Sequence, residues 1–206
     1  MFELTVGRIR AGLIDTVVID GQPGAGKTQF SIGFSELLRQ SDIPFLRVGT
    51  DDDCLPRSER GDLELTDYHP GALLKEAVSA RHLGGGSIHY DRYRSSTGEA
   101  DDPTRLHVPE AGGGILLIEG VRAIEHTRQA LGQLTLENQA RAQYILLNET
   151  SDVASQRRIQ RDIQVKGLPY HEAARRVFEQ QRSINSYYSD LSRDLESDTT
   201  DRLLLS

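Results

Sequence analysis

The segment Gly21-Gln22-Pro23-Gly24-Ala25-Gly26-Lys27-Thr28 reads G-x-x-x-x-G-K-[ST] without a gap, the pattern of a phosphate-binding loop. Each position has a physical reason. Gly21, Gly24 and Gly26 permit backbone angles that let successive N–H groups turn inward around phosphate oxygens. A helix starting near Lys27 adds the positive end of its dipole. Lys27 can reach the outer phosphates of a nucleoside triphosphate, and the Thr28 hydroxyl can ligate magnesium. Gly21, Gly24, Ala25, Gly26, Lys27, Thr28 and Gln29 are therefore the expected contacts to ATP, with Mg2+ as its partner ion.

Two acidic features can work beside that loop. Asp51-Asp52-Asp53 follows one apolar run, and Glu119 closes another. Transfer of a phosphoryl group to a hydroxyl calls for a carboxylate that accepts the hydroxyl proton, and for acidic groups near magnesium. Asp51 suits the first task, with Asp52 and Asp53 as alternatives, and Glu119 suits the second. Thr28, Asp51 and Glu119 form the expected metal shell. Three consecutive aspartates are otherwise the composition of a solvated turn. A third feature is Ser155–Asp162, SQRRIQRD, which as a helix places Arg158 and Arg161 on one face. Such cations can neutralise a phosphoryl group in transit and, on a moving lid, gate its transfer. The competing reading is a solvated charged helix paired through Asp152 and Asp162.

The elements needed to position these groups follow from the hydrophobic pattern. Thr16–Ile19, Phe45–Val48, Ile115–Ile118, Tyr144–Leu147 and Arg202–Leu205 are short apolar runs that predict strands. Thr28 to Gln40 and Leu73 to Leu83 carry apolar residues at helical spacing. Strands alternating with helices predict an α/β fold: a parallel sheet, helices on both faces, and a helical lid at about 151–170. In such sheets ligands gather at the carboxyl ends of the strands, where the loop, the aspartates and Glu119 all fall. The stretch from Gly84 to Pro109 has little periodicity and reads as a linker or, more in keeping with its length, a functional loop.

Bulk properties narrow the possibilities. The 206 residues suit one domain. With 24 basic against 31 acidic residues and a net charge of -7, the chain lacks the broad basic surface of a nucleic-acid binder. A single cysteine, Cys54, excludes an intrachain disulfide framework and suits a reducing compartment. With no long apolar run, no membrane association and a cytoplasmic location are expected. A homo-oligomer is compatible with the composition.

The motifs together resemble those of uridine kinase and its relatives, including the nicotinamide riboside kinases and phosphoribulokinase, from Thr16 to about Arg182. GQPGAGKT corresponds to the family's P-loop, and TDDDCLP, Thr50 to Pro56, resembles the D-[DS]-F-[FY] segment that carries the catalytic aspartate. DYHPGALL, Asp67 to Leu74, resembles the D-H-P-x-A segment, and HYDRY, His89 to Tyr93, the Y-D segment that closes over the acceptor. LLIEG, Leu116 to Gly120, matches the strand with the metal-associated glutamate, and RRIQRD, Arg157 to Asp162, the R-R-x-x-R-D lid signature. The resemblance implies an ATP-dependent kinase of a nucleoside-like hydroxyl compound. Asp51, Lys27, Arg158 and Arg161 would be catalytic, and Asp67, His69, Tyr90 and Arg94 would meet the acceptor.

The acceptor-facing segments depart from the pattern. Asp53-Cys54 stands where uridine kinases have an aromatic pair, Tyr68 is inserted between Asp67 and His69, and Lys166-Gly167-Leu168 replaces R-G-R. The expected acceptor therefore extends to sugar phosphates, vitamins and hydroxy amino acids. A regulatory nucleotide-binding module is the alternative from another class. Its GTPase form needs N-K-x-D, and Asn148-Glu149-Thr150-Ser151 lacks it.

Overall fold

A computed structural model describes residues 2–61, 63, 65–94, 96–134, 141–197 and 202–205. Strands β1 (Thr16–Gly21), β2 (Phe45–Gly49), β5 (Ile115–Gly120), β6 (Ala142–Leu147) and β7 (Arg202–Leu205) form one parallel sheet in the order β2-β5-β1-β6-β7. β1 lies at its centre and every one of its residues is buried. Its β-branched residues suit a strand covered on both faces.

Alternation along the strands divides the interior into two layers. Val17, Ile19, Leu117 and Ile145 point to one face, where α1 (Phe2–Arg10) contributes Val6 and Ile9 and α2 (Lys27–Gln40) contributes Phe34 and Leu38. Val18, Leu116, Ile118 and Leu146 point to the other. That face is covered by Leu74, Ala77 and Val78 of α4 (Ala72–His82) and Ile124 and Leu131 of α5 (Ala123–Leu131). Leu191 and Leu195 of α7 (Tyr170–Ser197) complete it. A doubly covered parallel sheet of this kind is the architecture expected from the alternating pattern. A third, small cluster, Ile159 with Ala173 and Val177, packs α6 (Ser151–Lys166) against α7. α6 ends at Gly167, whose φ of 67° lets its N–H return to the Ile163 carbonyl at 3.0 Å.

The 84–109 stretch differs from expectation. It is neither a linker nor an irregular loop but an antiparallel hairpin of β3 (Gly86–Arg94) and β4 (Glu99–Val108). Its strands are mostly exposed, with only Ile88 and Val108 fully buried, so no period-two apolar signal marks them. Pro103 is tolerated because the ribbon has two strands and both are edges. The short helix α3 (Arg57–Arg60) touches the turn of this hairpin, the Arg57 N–H donating to the Gly98 carbonyl at 2.9 Å. Helices α1, α3, α5 and α7 are additions to the expected element list. No described helix is long and apolar enough to cross a membrane.

Candidate active site

The register aligns the carboxyl ends of the central strands. Asp20 pairs with Gly120, Gly49 with Glu119, and Gly21 with Leu147. The phosphate loop leaves β1 at Gly21 and enters α2 at Lys27, with φ of 91° at Gly24 and 90° at Gly26. These left-handed angles are cheap only for glycine. The first turn of α2 contains no acidic residue, so its positive end is not neutralised locally. The Lys27 ammonium donates to the Gly21 and Gln22 carbonyls at 2.6 and 3.2 Å. Burial pulls its pKa below the ordinary lysine value, Asp20, Asp51 and Glu119 pull it back up, and Arg161 pushes it down again. The loop, both acidic features and the α6 arginine thus share one electrostatic neighbourhood. Thr28 and Gln29 are exposed on the first turn of α2.

Asp20 is a site residue that the motif reading passed over as a strand end. It is completely buried. One carboxylate oxygen accepts from the Gly21 N–H at 2.7 Å and the Tyr188 hydroxyl at 2.9 Å, and the other from the Ile124 N–H at 2.9 Å. It therefore ties the loop to the start of α5 and to α7. Burial pushes its pKa up, against the opposing pull of those donors and of Lys27. A carboxylate at the penultimate position of the central strand, next to the first loop glycine, was the available signal.

The three aspartates lie on a single 3-10 turn, Thr50–Asp53, and diverge. A side chain at Gly120 would strike Thr50, so glycine there lets the turn sit directly against the end of β5. Asp51 has an 84% exposed side chain, 3.6 Å from His69 Nδ1. Asp52 lies 3.5 Å from Arg92 Nε, and its Oδ2 and Glu119 Oε1 both face Gly49. Asp53 turns inward and accepts from the Leu73 N–H at 2.9 Å, capping the start of α4.

Burial raises the Asp53 pKa from 3.8 to about 6. The folded chain therefore holds the proton more tightly than the unfolded one, and this group makes stability fall as pH rises from about 4 to 6. Asp53→Asn keeps an oxygen acceptor for Leu73 without the charge. Thermal unfolding should then show a flatter pH dependence between 4 and 6 and a midpoint at pH 8 equal to or above that of the unaltered chain. A lower midpoint at pH 8 would mean that the charged cap outweighs its desolvation.

Glu119 is buried, and its Oε1 accepts from Arg47 Nη2 at 2.9 Å. Among the described residues no group of three His, Cys, Asp or Glu side chains could hold a metal ion alone. The donor set fits magnesium nonetheless. The Thr28 hydroxyl and the Asp51, Asp52 and Glu119 carboxylates are hard oxygen ligands, and magnesium retains several waters and uses phosphate oxygens for the rest.

The four residues expected to meet an acceptor each engage a different partner. His69 is buried with Nδ1 3.2 Å from the Thr50 carbonyl, and burial holds its pKa below the ordinary histidine value. Asp67 accepts from Arg122 Nη1 at 2.7 Å, and the Tyr90 hydroxyl accepts from Arg92 Nη2 at 3.4 Å. Arg94 directs Nε and Nη2 to Asp101 within its own hairpin, at 2.9 and 2.6 Å. Arg122 was missed by sequence reasoning. It adopts a left-handed φ of 59° and clasps Glu125 through Nε and Nη2 at 2.8 and 2.7 Å while holding Asp67. Nothing in the sequence marks this residue, since its backbone angle and both partners emerge only on folding. Arg60 lies between the rings of Tyr68 and Tyr93, 4.9 and 4.8 Å from their centroids.

Helix α6 rests on the tip of the loop. A side chain at Gly24 would meet the Ala154 carbonyl and the Arg158 stem. Arg157 Nη1 lies 3.4 Å from the Gly24 carbonyl and 3.0 Å from Glu149 Oε2. Arg161 is 57% exposed and is the α6 cation that Lys27 feels. Arg158 is buried, with its guanidinium turned toward Gln180 and Gln181 of α7.

Neither a protein-family model nor a curated protein matches the chain. Solved structures do. A proposed fructose transport system kinase from Silicibacter sp. TM1040 aligns with a TM-score of 0.63 at 16% identity, covering 90% of this chain and 94% of that one. D-glycerate 3-kinase from Cryptococcus neoformans aligns with a TM-score of 0.51 at 13% identity, covering 88% and 86%. Together with the strand order and the loop at the end of β1, these likenesses give the chain the fold of the P-loop kinases, in keeping with the uridine kinase-like order of its motifs.

Proposed function

We propose that this protein is an ATP-dependent kinase that transfers the γ-phosphoryl group to a hydroxyl of a small molecule. The observation that carries the reading is the desolvated Lys27 ammonium, which among the described residues donates to two carbonyls of its own loop while Asp20, Asp51, Glu119 and Arg161 act on it electrostatically. A phosphate in the loop would replace those two weak neutral acceptors with charged ones.

In this reading the loop N–H groups and Lys27 hold the phosphates, and Arg161 meets the group in transit. Asp51, exposed at the strand ends, accepts the proton of the attacking hydroxyl. His69, buried and uncharged at neutral pH, sits behind Asp51 and limits its swing without competing for the proton. Magnesium, when bound, would neutralise phosphate charge, with Thr28 and the carboxylates of Asp51 and Glu119 supplying oxygen ligands. Arg47 orients Glu119 through its hydrogen bond to Oε1.

The motif resemblance favours a nucleoside-like acceptor. One observation favours a second reading, a compact non-nucleoside acceptor: Arg60 covers one face of each of the Tyr68 and Tyr93 rings. Faces engaged in this way are not free to stack on a base. Magnesium-ATP consumption with a panel of nucleosides, sugars, sugar phosphates, vitamins and hydroxy acids separates the two. Turnover with a nucleoside supports the first reading, and turnover confined to small hydroxy compounds the second. Stoichiometric ATP binding with no acceptor phosphorylated would favour a regulatory nucleotide-binding role instead.

A further inference from the structure

Arg158 has an unusual environment for a charged side chain. It is only 4% exposed, yet among the described residues no carboxylate forms an ion pair with it. Its hydrogen-bond partners are neutral amide oxygens: Nη2 donates to Gln180 Oε1 at 2.6 Å and Nη1 to Gln181 Oε1 at 3.3 Å. The nearby carboxylate, Asp162, is taken by Lys166 at 2.6 Å, with Arg161 at 3.9 Å and Arg176 at 4.0 Å. Burial, with Arg161 and Arg176 close by, lowers the Arg158 pKa to about 10 against the pull of Asp162. A buried cation satisfied by neutral acceptors keeps its hydrogen bonds but not a counter-charge, a costly state unless an anion arrives.

Gln181 is itself held in one orientation. The Glu149 carbonyl can only accept, so Gln22 of the phosphate loop turns its amide nitrogen there, at 2.6 Å, and its Oε1 toward α7. Gln181 must then present its nitrogen to Gln22, at 3.1 Å, and its oxygen to Arg158. The remaining Gln181 bonds agree with that polarity: Nε2 donates to Asn185 Oδ1 at 2.7 Å, and Oε1 accepts from the Ser155 hydroxyl at 2.9 Å. A chain of hydrogen bonds thus runs from the loop through α7 to the arginine of α6.

We propose that Gln180 and Gln181 are positioning residues that hold Arg158 as an un-neutralised cation beside the phosphate loop, with Gln181 linking its placement to Gln22. The function is to reserve the charge for the phosphates of a bound nucleotide. A glutamate at 180 would satisfy the same donor and cancel the charge. This inference rests on the phosphotransferase reading.

The test measures affinity, in the full chain with magnesium, for an ATP analogue whose γ-phosphate cannot be transferred. Gln180→Glu retains the side-chain size and sets a carboxylate on Nη2. It should weaken analogue binding about tenfold while leaving the thermal unfolding midpoint unlowered. Gln180→Met removes the acceptor without adding charge, so it relaxes the position of Arg158 but keeps its charge, and should weaken affinity by about threefold, less than the glutamate does. If Gln180→Glu does not fold, Arg158→Met removes the reserved charge itself and takes its place: about tenfold weaker binding is expected, and unchanged affinity overturns the proposal. Unchanged affinity in the glutamate variant, or equal losses in the glutamate and methionine variants, overturns the proposal. Failure of the unaltered chain to bind ATP at all sinks the phosphotransferase reading, and the proposal with it.

Discussion

Lys27→Met is expected to reduce phosphoryl transfer by about a thousandfold or more, because a preorganised cation is lost where charge accumulates. Removing one such donor costs about 10²–10³ in rate in comparable sites, and here the donor also carries a full charge. The same change should leave the unfolding midpoint unchanged or raised. The Lys27 ammonium is desolvated, its pKa is depressed, and its hydrogen bonds in the folded chain are to two carbonyls of its own loop. Replacing it by an apolar chain of similar length removes a destabilising desolvation. Opposite signs for activity and stability are what separate a functional lysine from a structural one. A fall in both, or transfer within about tenfold of the unaltered chain, would count against the assignment. Because the depressed pKa brings deprotonation closer to neutrality, nucleotide affinity should also decline on the alkaline side at lower pH than an ordinary lysine would give.

Asp51→Asn is expected to lower transfer by about 10²–10⁴ while leaving ATP affinity within a few-fold. The amide keeps the shape of the side chain and its place 3.6 Å from His69, but it cannot take a proton. Its two neighbours serve as internal controls, since the turn gives each aspartate a different partner. Asp52 faces Arg92, and Asp53 caps α4. Asp53→Asn should therefore alter stability and its pH dependence with little effect on transfer. Single-turnover measurements on the three variants decide the matter. If Asp52→Asn loses transfer and Asp51→Asn does not, the base is Asp52 and the side chain on the Gly49 side of the turn does the chemistry.

The parallel sheet, its order of elements and the phosphate loop were legible because their signals are local. Four residues from Thr16 to Ile19 are apolar or β-branched in a row, and the glycines and lysine of the loop stand at fixed offsets from that strand. The hairpin was not legible. Its strands bury almost nothing and are held by pairing to each other, so their sequence is that of a polar loop. Helix α7 shows the converse case. Its outer surface is polar apart from Tyr170 and Phe178, and its importance lies in single residues, Tyr188 on Asp20 and Gln181 on Gln22, separated from their partners by more than 150 positions.

The sequence alone determined that a phosphate loop joins a buried central strand to a helix, and that acidic residues and an arginine-bearing helix follow in the order of a uridine kinase-like protein. It could do so because those features depend on spacing within a few residues. Only the tertiary structure decided what each charged group faces. It divided one run of three aspartates into an exposed carboxylate, an arginine partner and a helix cap. It likewise set Arg161 within electrostatic reach of Lys27 while burying Arg158 on two glutamines. The reason is that a side chain's charge acts through the partners that folding brings to it, and those partners lie on other strands and helices.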